Sequence, residues 1–413
     1  MDKYSKVIAA AKAYIEGGIK SKDAKLALGL ELEHFVVDSK TLRTAPFFGE
    51  NGVAAILDEI APNFEQSARS KGHIIGLGNK DYTISLEPAA QLEISIAPFS
   101  DIADIERVYK DFRELIDPVL ERRGLALVCL GYHPVSKVDE LPLIPKNRYE
   151  YMYNHFGATG RFGKNMMKGT AATQVSIDFY SEEDFIRKYK IACRLAPFLS
   201  LITDNSPYFE GADNSEYILR TKIWREVDPA RTDYCGFVRG RNVSFDTYAD
   251  FVTASPLVVP FGEGQYVTRS AQELYADKEP TTEEIRHILS MSFPTVRLKT
   301  YLEIRYADSL PPELALSYVA LIKGLFIDID PIESYLDSLN IAYGEEIKTA
   351  ENNIMKDGLN ALTFGKKVSD IINDIFAIAD SNLQMEEKAY LAPLKELITK
   401  ENRLPRELVK PLA

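Results

Sequence analysis

Four segments of this chain alternate apolar and polar residues with a period of two, and each carries an acid on its polar side. In LALGLELEHFVV the alternation sets Glu31 and Glu33 opposite Leu30, Leu32 and Val36. In AAQLEISIA, Gln91, Glu93 and Ser95 oppose Leu92, Ile94 and Ile96. In TQVSIDF, Gln174, Ser176 and Asp178 oppose Val175, Ile177 and Phe179. In RLKTYLEIRY, Lys299, Tyr301, Glu303 and Arg305 oppose Leu298, Leu302, Ile304 and Tyr306. Any one of these reads equally well as a half-solvated strand or a cross-strand charge ladder. Together they read as one sheet with an apolar face under helices and a polar face rich in acids.

On that polar face Glu31, Glu33, Glu93 and Glu303 converge if the strands pair, with Glu87 and Asp178 near them. Carboxylates gathered in a partly dry cleft must take up protons or bind cations. Hard divalent cations with oxygen ligands answer this best, and magnesium is the usual one beside phosphates. Lys299 and Arg305 share the face with Glu303, so acids and fixed cations together suit a metal–nucleotide complex.

Helical patterning frames these strands. Residues 3–17 form an amphipathic pattern, Ser100-Asp101 is placed to cap a helix to about Arg123, and Ser181 opens another that reaches the TDNSP turn at 203–207. From about 313 the chain reads as helix after helix. No linker divides its 413 residues, so a single domain is expected: an N-terminal helix over 1–24, catalytic sheet and helices over 25–312, and a helical part over 313–413.

A net charge of −12 argues against nucleic-acid and anionic-membrane partners, and no apolar run reaches membrane-helix length. The charged N-terminal stretch lacks a signal-peptide core, so a cytoplasmic protein is expected. Cys129, Cys193 and Cys235 have no metal-ligand spacing, and Cys129 reads as a buried thiol. The five histidines show no zinc spacing; His34 falls on the apolar side of its strand as a core residue, and His133 is ambiguous. Gly157–Lys164 has the wrong glycine spacing for a phosphate loop, with Asn165 where a magnesium-binding hydroxyl belongs. Arg220, Arg225 and Arg231 cluster around the single tryptophan, Trp224, either as a charged surface or as a carboxylate-binding set.

Seven segments in order resemble the plant-type glutamate–cysteine ligase family: GLELEHF (29–35), ISLEPAAQLEIS (84–95), LPLIPKNRY (141–149), TQVSIDF (173–179), NSPYFEG (205–211), RTKIW (220–224) and VRLKTYLEIRYAD (296–308). The resemblance implies an α+β fold, with a curved, mostly antiparallel sheet forming a glutamine-synthetase-like catalytic funnel for two or three magnesium ions. It implies Glu31, Glu33, Glu87, Glu93 and Glu303 as metal ligands, with Gln174 facing a second metal. Lys299, Tyr301 and Arg305 would bind ATP, with Arg305 and Glu303 at the reacting phosphoryl group. Arg220, Trp224 and Arg231 would hold glutamate, and Tyr149 would wall the cleft. The implied activity is ATP-dependent joining of the glutamate γ-carboxylate to the cysteine amine; the acidic composition and helical C-terminal third are compatible with a monomer or a homodimer.

Two departures stand out. The family's Pro-Gly-Gly-Gln-Phe-Glu is Pro88-Ala-Ala-Gln-Leu-Glu93 here, and Gly-Ala-Asp-Gly-Gly is Tyr306-Ala-Asp-Ser-Leu310. The second is expected to reshape the acceptor-amine site, which keeps a ligase for a different amine in view. A two-carboxylate glycosidase would need no such set of acids and cations. A non-catalytic nucleotide binder would have no reason to keep all five acids.

Overall fold

The computed structural model describes residues 4–232, 242–259, 261, 269–341 and 344–410. Its frame is a nine-stranded sheet built on β1 (Leu28–Asp38). Further strands are β2 (Gln66–Ser70), β3 (His73–Gly78), β4 (Tyr82–Leu86), β5 (Leu92–Phe99), β6 (Leu125–Val128) and β7 (Ala172–Ile177). A short hairpin, β8 (Tyr208–Phe209) and β9 (Ala212–Asp213), stands apart, and β10 (Val296–Leu298) and β11 (Leu302–Asp308) return to the sheet. The order is β10-β11-β7-β1-β5-β4-β3-β2, every pair antiparallel, and β6 pairs the far end of β1.

Pairing fixes which residues meet. Glu33 lies opposite Glu93 across β1 and β5, Glu31 opposite Gln174 across β1 and β7, and Glu303 opposite Ser176 across β11 and β7. Because the pleat alternates, the intervening residues point the other way. Leu28, Leu30, Leu32, Ile94, Val175, Ile177, Leu302 and Ile304 are all buried on that second face. Helices Ile102–Glu121, Glu182–Ile202 and Pro312–Phe326 pack against it.

Ser181 caps its helix through a hydrogen bond accepted from the Asp184 amide, as its position foretells. Asp101 occupies the cap position of the Ile102–Glu121 helix, but its side chain makes no capping bond. The C-terminal part holds the helices Pro312–Phe326, Asp330–Ser338, Glu345–Asp357, Val368–Asn382 and Met385–Thr399. One continuous apolar core runs from Val7 to Leu404, so these helices share the core of the sheet.

His34 is a core residue. Its Nδ1 meets the Leu92 carbonyl at 3.1 Å and its Nε2 the Tyr109 hydroxyl at 2.9 Å. His133 is buried too, and its Nδ1 accepts from the Val135 and Ser136 amides. Gly157–Lys164 spans the end of one helix and the start of the next rather than a strand–loop–helix, and Asn165 donates to Tyr132 and Glu210. Burial pushes the Cys129 thiol up to about 11 and Cys193 is buried; Cys235 lies outside the described residues.

Candidate active site

The acid-bearing face of the sheet floors a cleft of about 1230 Å³, mouth included. Glu31, Glu33, Glu87, Glu93 and Gln174 line it from the sheet side. The far wall comes from the start of the Asn147–Thr159 helix, which brings Tyr149, and from the Leu219–Arg225 helix, which brings Arg220 and Trp224. The alternation of β1 and β5 therefore brings Glu31, Glu33 and Glu93 together, with Gln174 of β7 beside them, whereas Asp178, expected near them, lines a separate cavity.

Two of the acids are held in defined orientations. Glu33 Oε2 accepts from the Ala172 amide at 2.7 Å, and its Oε1 from Gln174 Nε2 at 3.2 Å. Glu93 Oε1 accepts from the hydroxyls of Ser85 and Ser95, each at 3.0 Å. None of these partners carries a charge. Burial, then the charges of Glu303 and Glu93, pushes the Glu31 carboxyl up to about 8. Burial, then Glu87, pushes Glu33 well above the carboxylate range, and burial and then Glu87 push Glu93 the same way. Glu87 is also raised, first by burial, although Lys146 and Arg148 pull it down. The cleft floor is thus a group of acids short of positive charge.

Glu303 is different. RLKTYLEIRY is two strands and a bend rather than one strand, so Arg297 folds back opposite Glu303. Glu303 Oε2 accepts from Arg297 Nε at 2.6 Å and from an Arg305 guanidinium nitrogen at 2.8 Å; Oε1 accepts from Lys299 Nζ at 2.9 Å. Burial alone would raise this carboxyl, but Arg297, Lys299 and Arg305 override it and hold it well below the usual range. Glu303 itself does not line the cleft, whereas its three cations do. With three of its roughly four lone-pair positions taken, it has at most one to offer a metal, a smaller part than the sequence assigns it. Arg305 also donates to Gln174 Oε1 at 2.5 Å, which joins the cation group to the acids.

Tyr301 sits at the bend, where its hydroxyl accepts from Lys299 at 3.2 Å. It lines a second cavity of about 940 Å³, which shares Glu31 with the cleft and includes Lys20, Asn79, Tyr82 and Asp178. Arg220 is buried beside Trp224, 5.3 Å from guanidinium carbon to ring centroid. Its Nε donates to the Arg305 carbonyl at 3.2 Å, while one terminal nitrogen has no partner among the described residues. The Trp224 indole N–H is likewise buried, without a partner among the described residues.

Arg231 is not part of this wall. Its Nε donates to Asp228 at 2.6 Å and a second nitrogen to the Pro256 carbonyl at 2.5 Å, in a network that includes His155. Nearness in sequence to Arg220 does not carry past the end of the short helix. Tyr149 does wall the cleft, with its hydroxyl donating to the Leu86 carbonyl at 2.8 Å. Residues 306–310 do not line the cleft itself. Tyr306 and Leu310 are buried in the core, and the Ser309 hydroxyl donates to the Glu33 carbonyl. Tyr306 lines a smaller pocket with Arg220, Trp224, Phe293 and Arg305, all of which also line the cleft, so the first residue of this departure lies next to the cleft wall.

Three cleft cations escaped the sequence reading. Arg297 shares the odd-number parity of Lys299, Glu303 and Arg305, so the signal was present. Lys146 and Arg148 lie within LPLIPKNRY, a segment without periodic pattern, where only the fold aims them inward. Among the described residues, no three Asp, Glu, His or Cys side chains close a metal cage on their own.

The chain is similar to known proteins over most of its length. The chain is 30% identical to the chloroplastic glutamate–cysteine ligase of Brassica juncea over 400 residues, covering 94% of this chain and 77% of that protein. It is 29% identical to the corresponding enzyme of Arabidopsis thaliana, covering 94% and 76%. Its fold is similar to the crystal structure of a Francisella tularensis glutamate–cysteine ligase in complex with AMP, at 12% identity and a TM-score of 0.53, covering 94% of this chain and 84% of that one. Residues 27–409 match the model of glutamate–cysteine ligase family 2, and the chain belongs to that family of ligases.

Proposed function

We propose that the protein joins the γ-carboxylate of L-glutamate to the amine of L-cysteine, with ATP converted to ADP and phosphate. The observation that carries this reading is the pairing of two opposite groups on one cleft. Arg297, Lys299 and Arg305 form a triad with net positive charge around Glu303, and Glu31, Glu33, Glu87 and Glu93 form a patch that lacks it. A nucleotide triphosphate with its metal supplies the complement of both.

The acid patch fits magnesium. Magnesium takes one or two carboxylates and completes its shell with phosphate and water, so an open set of acids suits it better than a closed cage. Glu31, Glu33, Glu87 and Glu93, with the Gln174 amide, would hold it, and bound there it would neutralise the phosphates and polarise the transferring group. The second cavity adjoins the cleft at Glu31 and is large enough for the adenosine end of ATP.

A carboxylate does not condense with an amine at neutral pH because oxide is too poor a leaving group. The glutamate γ-carboxylate oxygen attacks the terminal phosphorus of ATP, the bridging P–O bond breaks, and ADP leaves with its electron pair. The amine nitrogen then attacks the acyl carbon, phosphate departs, and the ammonium proton passes to solvent. Arg305, held by Glu303 and Gln174, stabilises the charge that builds during transfer without needing to reorganise. Arg220 and the Trp224 indole N–H offer unused donors for the glutamate α-carboxylate. Lys146 and Arg148 line the same wall and add counter-charge for the second amino acid.

The test is ADP release from magnesium-ATP and L-glutamate with a panel of amines, and products identified by mass. Strong stimulation by L-cysteine with γ-glutamylcysteine formed is the expected result. Stimulation only by another amine would make the protein a ligase of different acceptor. No ADP release with any amine would overturn the reading.

A further inference from the structure

The helix that presents Arg220 and Trp224 begins at a strained residue. Ile218 precedes Leu219–Arg225 with φ 47° and ψ 47°, a left-handed conformation that a β-branched side chain rarely adopts. Such a backbone is unfavourable for a β-branched residue and persists only where its surroundings over-determine it. The restraint is visible. The Ile218 amide donates to Asp204 Oδ2 at 3.1 Å, and the Tyr217 amide to the Met355 carbonyl at 3.0 Å.

Asp204 is buried, and its counter-charge comes from the other end of the chain. Arg406, in the 3₁₀ turn Pro405–Leu408, donates to Asp204 Oδ2 at 3.0 Å and to the Glu216 carbonyl at 2.6 Å. It also donates to the Asn214 carbonyl and lies over the Tyr217 ring, 5.3 Å from its centroid. One guanidinium thus grips residues 214, 216 and 217 and the acid that holds 218. The same fork of donors on a lysine is impossible.

We propose that Arg406 is a positioning residue for the glutamate end of the cleft: it fixes residues 214–218 so that the following helix presents Arg220 and Trp224 correctly. This rests on the reading of Arg220 and Trp224 as glutamate-holding groups. Arg406 touches no substrate. It acts through Asp204, Ile218 and the helix, and a small displacement there moves the Arg220 donors relative to the phosphoryl-transfer group.

Trp224 is the single tryptophan of the chain, so its emission reports this helix independently of activity. Full-length wild type, Arg406→Ala and Arg406→Lys are compared by far-ultraviolet circular dichroism, Trp emission, and KM for glutamate and ATP in the ADP-release assay. The expected result is a shifted emission maximum at unchanged helix content, with KM for glutamate up roughly tenfold and KM for ATP unchanged. Arg406→Lys keeps the Asp204 counter-charge, so it remains folded and shows the same shifts at smaller size. Unchanged emission and unchanged glutamate KM in the folded variants, with only a lower melting temperature, would overturn the proposal. If the wild type releases no ADP with any amine, the ligase reading falls, while Trp emission still decides whether Arg406 sets the helix.

Discussion

Arg297 and Glu303 face each other across the β10–β11 hairpin, with Arg297 Nε 2.6 Å from Glu303 Oε2. This pair anchors the cation group, because the same carboxylate also holds Lys299 and Arg305. Arg297 has a second anchor at the Ser292 carbonyl, 3.3 Å away. A buried acid with three cations is a costly arrangement unless a ligand uses the surplus charge.

Glu303→Gln removes the anchor and leaves three cations facing one another. It is expected to destabilise the protein by about 3–5 kcal/mol and to lower kcat at least a hundredfold. Chemical denaturation and steady-state ADP release measure both. A fully active, equally stable variant would contradict the role given to Glu303.

Glu93→Gln is expected to separate stability from function. Glu33 and Glu93 are directly opposed like groups, and a glutamine keeps the oxygen that accepts from Ser85 and Ser95. Relief of repulsion should stabilise the ligand-free protein by about 0.5–1 kcal/mol, with turnover lost. Thermal melts without nucleotide, beside the ligase assay, decide it; a lower melting temperature would show that the pair does not repel.

Ala90 has φ 67° in the turn that joins β4 to β5, where the family's second glycine falls. The turn holds because Gln91 Oε1 accepts from the Ala89 amide and its Nε2 donates to the carbonyls of Met167, Lys168 and Thr170. Ala90→Gly removes the left-handed penalty but loosens the unfolded chain, and the balance is a gain of about 0.5–1 kcal/mol. The urea midpoint is the readout, and a fall would contradict the strain.

How much of this could be read from the chain follows its physics. Strict alternation made β1, β5 and β7 legible and gave Glu31, Glu33, Glu93 and Gln174 their face. The polar, exposed β2 (QSARS) has no such pattern and was invisible. The bend at Thr300 was missed because 298–306 alternates straight through it. Arg297 carries the same parity as Lys299, Glu303 and Arg305, and the hairpin sets it opposite Glu303. Arg231 was drawn into the site by nearness in sequence, which a short helix and a turn undo.

His133 gives a pH dependence of known sign. Burial lowers its imidazole to about 4 from an ordinary 6.5. Between these values the unfolded chain binds a proton that the folded one refuses, so stability is full above pH 6.5 and falls as the pH drops towards 4. His34, lowered by burial to about 4, adds to the same slope. His133→Asn retains an acceptor for the Val135 and Ser136 amides and should flatten the loss of melting temperature between pH 6.5 and 4. An unchanged slope would assign the acid sensitivity elsewhere.

The central claim is that glutamate is activated as an acyl phosphate on this cleft. L-Glutamate labelled with ¹⁸O in its γ-carboxylate, turned over with magnesium-ATP and L-cysteine, tests it directly by mass spectrometry of the phosphate released. The account predicts one ¹⁸O atom in each phosphate, passed from the carboxylate as the amide forms. Amide product accompanied by unlabelled phosphate would contradict it.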